Sequence, residues 1–290
     1  MPRSIPSVWV WRRLVPLRLA DAWVERVRWA ASSPPILQEF PGKPTARLEV
    51  YGERADAARA LKKLFGGEVR PVPAKSWLTP QARDFVLALP GALVLAAEAA
   101  TIPARHQALP ELRIPAGMAF GTGEHATTAL CLRQLAIALK SRRAVSGTET
   151  RRPVVIDAGT GSGVLALAAA AMGAETEAFD FDPVCMRECR ANAARNPHIP
   201  SVRWRRADVL RHTPAARADV VVANLFSELL IRALPRLKRW IKPGGILILS
   251  GVLRHQEAAV ATALARHGLQ SAKVLRKGKW VCFAGVRPRA

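Results

Sequence analysis

Apolar residues change their period along this chain, and each change marks the start of an element. In the first eighty residues, alternating runs interleave with helical ones. Ser7 to Leu14 alternates as a strand does, whereas Leu19 to Ala31 sets Ala20, Trp23, Val24 and Val27 on one helical face. Ile36 to Phe40 and Ala46 to Tyr51 read as strands, Ala55 to Phe65 as a helix stopped by Gly66-Gly67, and Glu68 to Val72 as a strand. The order is βαββαβ, which predicts a small ferredoxin-like α+β domain over residues 1–75.

Proline then breaks the pattern. Pro71, Pro73 and Pro80 mark a hinge-like segment, Phe85 to Leu89 and Ala92 to Ala97 flank Pro90-Gly91 as a hairpin, and a loop with Pro103, Pro110 and Pro115 follows. Residues 76–117 therefore read as linker and hairpin. Thr127 to Leu139 predicts a helix and Ser141 to Arg152 an exposed loop. From Pro153, strands at Val154 to Asp157, Thr176 to Phe181, Val202 to Arg205, Asp219 to Asn224 and Ile246 to Ser250 alternate with helices, and strands near Ala272 to Arg276 and Trp280 to Val286 close the chain. The apolar runs are continuous, as strands buried on both faces require. Residues 118–290 thus predict a doubly wound α/β sheet ending in an antiparallel hairpin.

Composition narrows this picture. With half of 290 residues hydrophobic, the chain has the core for both domains. Its longest apolar stretches, Phe85 to Ala100 and Gly163 to Ala174, are interrupted or too short to span a bilayer, and the amino terminus carries no charged region followed by an apolar one. A cytoplasmic protein without a membrane span is expected. Cys131, Cys185, Cys189 and Cys282 show neither metal-ligand nor disulfide-framework spacing, so buried reduced thiols and no metal are expected.

The formal net charge is +22, and from Ser201 onward 18 Lys or Arg face 4 Asp or Glu. Such a surface suits nucleic acid, met through the basic C-terminal third. The excess of arginine over lysine is equally what an arginine-rich proteome produces.

The chemistry lies in two glycine-rich stretches, Met118 to Thr128 (M-A-F-G-T-G-E-H-A-T-T) and Val154 to Gly163 (V-V-I-D-A-G-T-G-S-G). The second ends a strand and opens a helix, where Gly159, Gly161 and Gly163 let backbone approach a ligand without a Cβ between. Asp180, ending the next strand, is placed to hold ribose hydroxyls. G-T-G-S-G is not the G-x-G-x-x-G dinucleotide spacing, so the loop, Asp180 and an Ala-Asn at the fourth strand favour S-adenosylmethionine over a nicotinamide. Asn224-Leu-Phe-Ser227 follows that strand. Its carboxamide can accept N–H bonds from an amine, and Phe226 can pack on a cation or planar base. The competing role for Asn224 is to cap the following helix.

These motifs, with D-F-D-P, V-V-A-N-L, K-P-G-G and L-S-G-V-L, resemble the PrmA family of methyltransferases acting on large-subunit ribosomal protein eleven, over roughly Pro115 to Val286. The resemblance implies a Rossmann-like class I S-adenosylmethionine methyltransferase domain that N-methylates lysine and N-terminal amines of a ribosomal protein, free or on the ribosome, with a small N-terminal domain that recognises the substrate. Carried over by motif, Thr128, Gly159, Asp180 and Asn224 would contact cofactor, with Phe120 and His125 close by; the residues themselves add Gly161 to the cofactor loop and set Asn224 and Phe226 at the reacting amine. Glu124 and His125 are the candidate bases. Ala126 stands where the family usually has proline, and Asn-Leu-Phe-Ser replaces the commoner Asn-Ile-Leu-Ala. Two other functions fit the same residues: a nucleic-acid amino-group methyltransferase, and a non-catalytic ribosome-binding module. Another protein-lysine substrate is a further variant.

Overall fold

A computed structural model of the chain describes residues 8–28, 30–31, 33, 35–40, 43–52, 55–72, 85–115, 125–146 and 151–289. It divides into two compact units, Met1–Gln81 and Ala82–Ala290.

In the first unit, β1 (Val8–Pro16), β2 (Ile36–Glu39), β3 (Thr45–Gly52) and β4 (Glu68–Val72) form an antiparallel sheet in the order β2-β3-β1-β4, with helices Ala20–Arg28 and Ala55–Phe65 between strands. Alternation makes the core: Ala46, Leu48 and Val50 on β3 join Trp11 and Val15 on β1 and Val27, Ala58 and Leu61 on the helices. The turn into β4 needs glycine. Gly67 has a φ of +86°, and a Cβ there would lie 2.5 Å from the Arg12 carbonyl oxygen. The Trp11 indole nitrogen locks this corner by donating to the Gly66 carbonyl at 2.7 Å.

The second unit carries β8 (Val154–Ala158), β9 (Glu175–Asp180), β10 (Arg203–Arg206), β11 (Ala218–Asn224), β12 (Ile241–Leu253), β13 (Gln270–Lys277) and β14 (Trp280–Val286) in the order β10-β9-β8-β11-β12-β14-β13. All neighbours are parallel except β14, which runs antiparallel to both β12 and β13. Successive residues of the central strands serve opposite layers. Val155, Val220 and Val222 pack with helices Ala126–Ser146 and Val164–Ala171, while Ile156, Val221 and Ala223 pack with helices Ser227–Trp240 and Glu257–Arg266. Both faces are therefore dry, which is why the strands read as unbroken apolar runs. The direction of winding reverses between β8 and β11, and that switch point places the ligand-binding crevice beyond their carboxyl ends.

Three expectations are corrected. The segment read as linker and hairpin keeps its hairpin, β5 (Val86–Leu89) antiparallel to β6 (Leu93–Ala97), but in its described part it is a layer of the second unit and not a linker: β7 (Glu111–Ile114) pairs in parallel with β6, and Leu89, Leu93, Leu95, Leu112 and Ile114 enter the core beneath helix Val164–Ala171. β7 fell in a stretch read as loop, because four residues between prolines carry little periodicity. Distant partners hold it: Asn196 accepts from the Arg113 backbone N–H and donates to its carbonyl, at 2.8 and 2.7 Å, and the Arg113 guanidinium donates to the carbonyls of Glu98 and Ala100. The helix expected to end at Leu139 runs to Ser146, since no glycine or proline interrupts it before Gly147. Cys185 is only half-buried, whereas Cys131, Cys189 and Cys282 are buried, and all four are unbridged. No described helix is long and apolar enough to cross a membrane, and no group of three or more metal-ligating side chains occurs among the described residues.

Candidate active site

Four segments converge on the crevice: the β8 loop, the end of β9, the end of β11, and the first turn of helix Ala126–Ser146. Gly159, Gly161 and Gly163 all hold positive φ, at +74°, +54° and +83°. The loop is fastened to β9, because the amides of Gly159 and Thr160 both donate to the Phe179 carbonyl, at 2.9 and 3.0 Å. Asp180 completes the attachment. Its two carboxylate oxygens accept from the amides of Gly161 and Asp182, each at 3.0 Å, so the residue expected at the ribose also shapes the loop.

Asp157, the last polar residue before the loop, was passed over by sequence reasoning. It is completely buried, accepts a 2.6 Å hydrogen bond from the Thr160 hydroxyl on Oδ2, and leaves Oδ1 without a partner. Burial pushes its carboxyl up to about 7, the Asp180 charge adding to the effect while the Thr160 hydroxyl and the Ala166 amide oppose it. Its place at the carboxyl end of a buried strand was the available signal.

Leu225 ties three motifs together. A Cβ on Gly159 would stand 2.4 Å from Leu225 Cδ2, and one on Gly251 would stand 2.3 Å from the Leu225 carbonyl oxygen. The Leu225 amide donates to the Ser250 carbonyl at 3.1 Å. The Asn224 loop is thus wedged between Gly159, just after β8, and Gly251 of β12, and at Gly251 the backbone approach leaves no room for a Cβ.

Asn224 does not cap the next helix. The cap position belongs to Phe226 and has no side-chain cap bond. The Asn224 carboxamide nitrogen instead donates to the hydroxyls of Thr127 at 3.2 Å and Thr128 at 3.4 Å. That leaves the carboxamide oxygen with no partner among the described residues. Thr127 Oγ1 also lies 2.7 Å from His125 Nδ1. Burial, with the Lys279 charge, lowers the His125 pKa below its ordinary value, so a neutral ring can accept the Thr127 hydroxyl proton on Nδ1. The ring meets Trp280 edge-on at 4.9 Å.

The structure therefore assembles His125, Thr128, Gly159, Gly161, Asp180 and Asn224, and adds Thr127, Asp157, Leu225 and Gly251. Thr128 is 1% exposed and supports Asn224 from beneath. Phe226 is 65% exposed beside it. Phe120 and Glu124 lie outside the described residues.

A family model described as ribosomal protein L11 methyltransferase (PrmA) matches residues 61–288. Among similar proteins, the ribosomal protein L11 methyltransferase of Thermus thermophilus is 36% identical over 225 residues, covering 76% of this chain and 81% of that one. The one from Desulfitobacterium hafniense is 37% identical over 187 residues, 63% of this chain, and the match spans little more than half of that relative, 56%. The crystal structure of the ribosomal protein L11 methylase from Lactobacillus delbrueckii subsp. bulgaricus is similar with a TM-score of 0.59 and 27% identity, covering 70% of this chain and 99% of that one.

Proposed function

This chain belongs to the ribosomal protein L11 methyltransferase (PrmA) family, and on that premise we propose that it is an S-adenosylmethionine-dependent N-methyltransferase acting on lysine and N-terminal amines of a large-subunit ribosomal protein. One observation carries the proposal: at the carboxyl end of β11 an asparagine carboxamide has its nitrogen bonded to two threonines and its oxygen unengaged among the described residues. An acceptor for an amine N–H stands where the switch point puts the ligand.

The residues present fit the cofactor. Positive-φ glycines open the β8 loop to close approach, Asp180 stands at the end of β9, and a buried Asp157 oxygen lies beneath the loop without a hydrogen-bond partner among the described residues. Gly159, Gly161, Asp180 and Asn224 would hold the nucleoside and methionine parts, with Phe120, His125 and Thr128 around them. When bound, the cofactor supplies a methyl group activated on a sulfonium. The chain's own part is positioning. The Asn224 oxygen accepts an N–H of the substrate amine and so aims the nitrogen lone pair. Thr127 and Thr128 keep that oxygen pointed outward by occupying the carboxamide nitrogen. Phe226 covers the amine and excludes water.

The amine must be neutral to react, and a lysine of ordinary pKa near ~10.4 first loses a proton. His125 Nδ1 is committed to Thr127, which favours an orienting role for this histidine over a base. The same reading makes the first unit, with its β2-β3-β1-β4 order, a ferredoxin-like substrate-recognition domain, and gives the basic C-terminal third an rRNA contact. The test is incubation with labelled cofactor and separated ribosomal proteins or rRNA. Label is expected in one ribosomal protein and lost with Asn224→Ala. Label found only in rRNA, or an Asn224→Ala variant with full transfer, would overturn the proposal.

A further inference from the structure

At the opposite end of β11 from Asn224, an open cleft of about 430 Å³ is lined by the loop Thr213 to Arg217 and by Arg236, Arg239 and Trp240 at the end of helix Ser227–Trp240. Three arginines, Arg217, Arg236 and Arg239, are among its lining residues, and no acidic residue is.

The acidic residues of this region are already engaged. Of the four beyond Ser201, Asp219 pairs with Lys242 at 2.7 Å, Glu257 pairs with Arg276, Asp208 stands 4.0 Å from Arg211, and Glu228 accepts from Gln256. None of the three cleft arginines is in an ion pair. Arg236 is nonetheless held in place, because its Nη1 donates to the carbonyls of Arg211 and His212 at 3.5 and 3.3 Å. That leaves its other N–H groups for a ligand. Arg217 and Arg239 are exposed at the rim, and Arg211, 89% exposed, extends the positive surface beyond it.

The geometry points to an RNA-backbone site in this cleft. Planar forked donors match phosphate oxygens in pairs, as ammonium groups do not, and here three of them share one opening. The unbalanced charge of the region, 18 cations against 4 anions, supplies the long-range attraction that counterion release turns into affinity. β11 is seven residues long, so the cleft stands about 20 Å from the Asn224 carboxamide. RNA held here leaves the methyl-transfer crevice open. The inference rests on the proposed function in one respect: a ribosomal protein presented among rRNA gives such a site its use.

The experiment measures binding of a fluorescent RNA hairpin to the full chain by anisotropy, across a salt series. Arg217→Glu/Arg239→Glu is expected to weaken binding at least tenfold at low salt and to reduce the slope of log affinity against log salt by about 1–2. Arg187→Glu/Arg190→Glu, which changes net charge equally on the exposed face of helix Pro183–Arg195, is expected to change both far less. Equal losses in the two variants, or no loss in the first, would overturn the site. Displacement of RNA by polyglutamate of matched charge as readily as by unlabelled RNA would do the same. Methyl transfer to free ribosomal protein is expected to persist in both variants. Its absence from the wild-type chain would sink the proposed function while leaving the RNA site standing.

Discussion

Asn224 and Thr127, 97 positions apart, are joined by a 3.2 Å hydrogen bond from the carboxamide nitrogen to the threonine hydroxyl. The bond connects the end of β11 to the first turn of helix Ala126–Ser146, and it decides which end of the carboxamide faces the crevice. Thr127→Val is expected to lower kcat for methyl transfer about tenfold, since losing a buried hydrogen bond costs about 1–3 kcal/mol. Thr127→Ser should recover most of it. A valine variant with full kcat would show that Asn224 is oriented by something else.

The glycines around Leu225 differ in what they must avoid. At Gly251 an added Cβ meets a backbone oxygen at φ +86°, and neither can yield, so Gly251→Ala is expected to cost about 2–4 kcal/mol in urea unfolding. At Gly159 it meets the end of the Leu225 side chain, which can rotate away, so Gly159→Ala should cost less stability and more cofactor affinity. Gly91, at φ +68° with open space around it, is the control, with a loss of about 1 kcal/mol. A ranking with Gly91 above Gly251 would contradict the wedge.

Asp157 sets a pH dependence of unfavourable sign. Its folded pKa of about 7 lies above the unfolded value near ~3.9, so the folded state holds the extra proton between them. The stability this confers is full below the unfolded pKa and is lost as pH rises through about 7. Asp157→Asn keeps an acceptor for Thr160 and removes the titration, so relative to wild type it should gain roughly 1–4 kcal/mol between pH 4 and pH 8. Parallel stability curves for the two proteins would refute the assignment.

His125 titrates the other way. Burial first and Lys279 second hold its pKa down, so the neutral ring's contribution to stability is present above the unfolded value near ~6.5 and fades as pH falls through the folded one. Following the His125 ring protons by NMR should give a midpoint below ~6.5 in wild type. Lys279→Ala should move it upward but not to the free value, because burial remains. No movement would remove Lys279 from the site.

Much of this was legible from local pattern. The βαββαβ order, the helix bounds at Ala55–Phe65 and Ser227–Trp240, the central strands and the glycine loop follow from periodicity, capping and turn chemistry acting over a few residues. β7 was not, since its stability comes from Arg113 and Asn196, 83 positions apart. The continuation of helix Ala126–Ser146 through a polar stretch was missed for a related reason: charge and serine read as loop, while nothing stopped the helix.

The sequence by itself determined the wound α/β sheet of the second unit, the family and the glycine loop with Asp180 and Asn224, because glycine at positive φ and carboxylates at strand ends are requirements of residue type. Only the tertiary structure decided their roles. That Asn224 turns toward Thr127 instead of capping its own helix, that Leu225 is gripped by two glycines 92 positions apart, and that Asp157 is sealed from water are consequences of winding order. Strands separated by many residues become neighbours at the switch point, and contacts made there carry no periodicity along the chain.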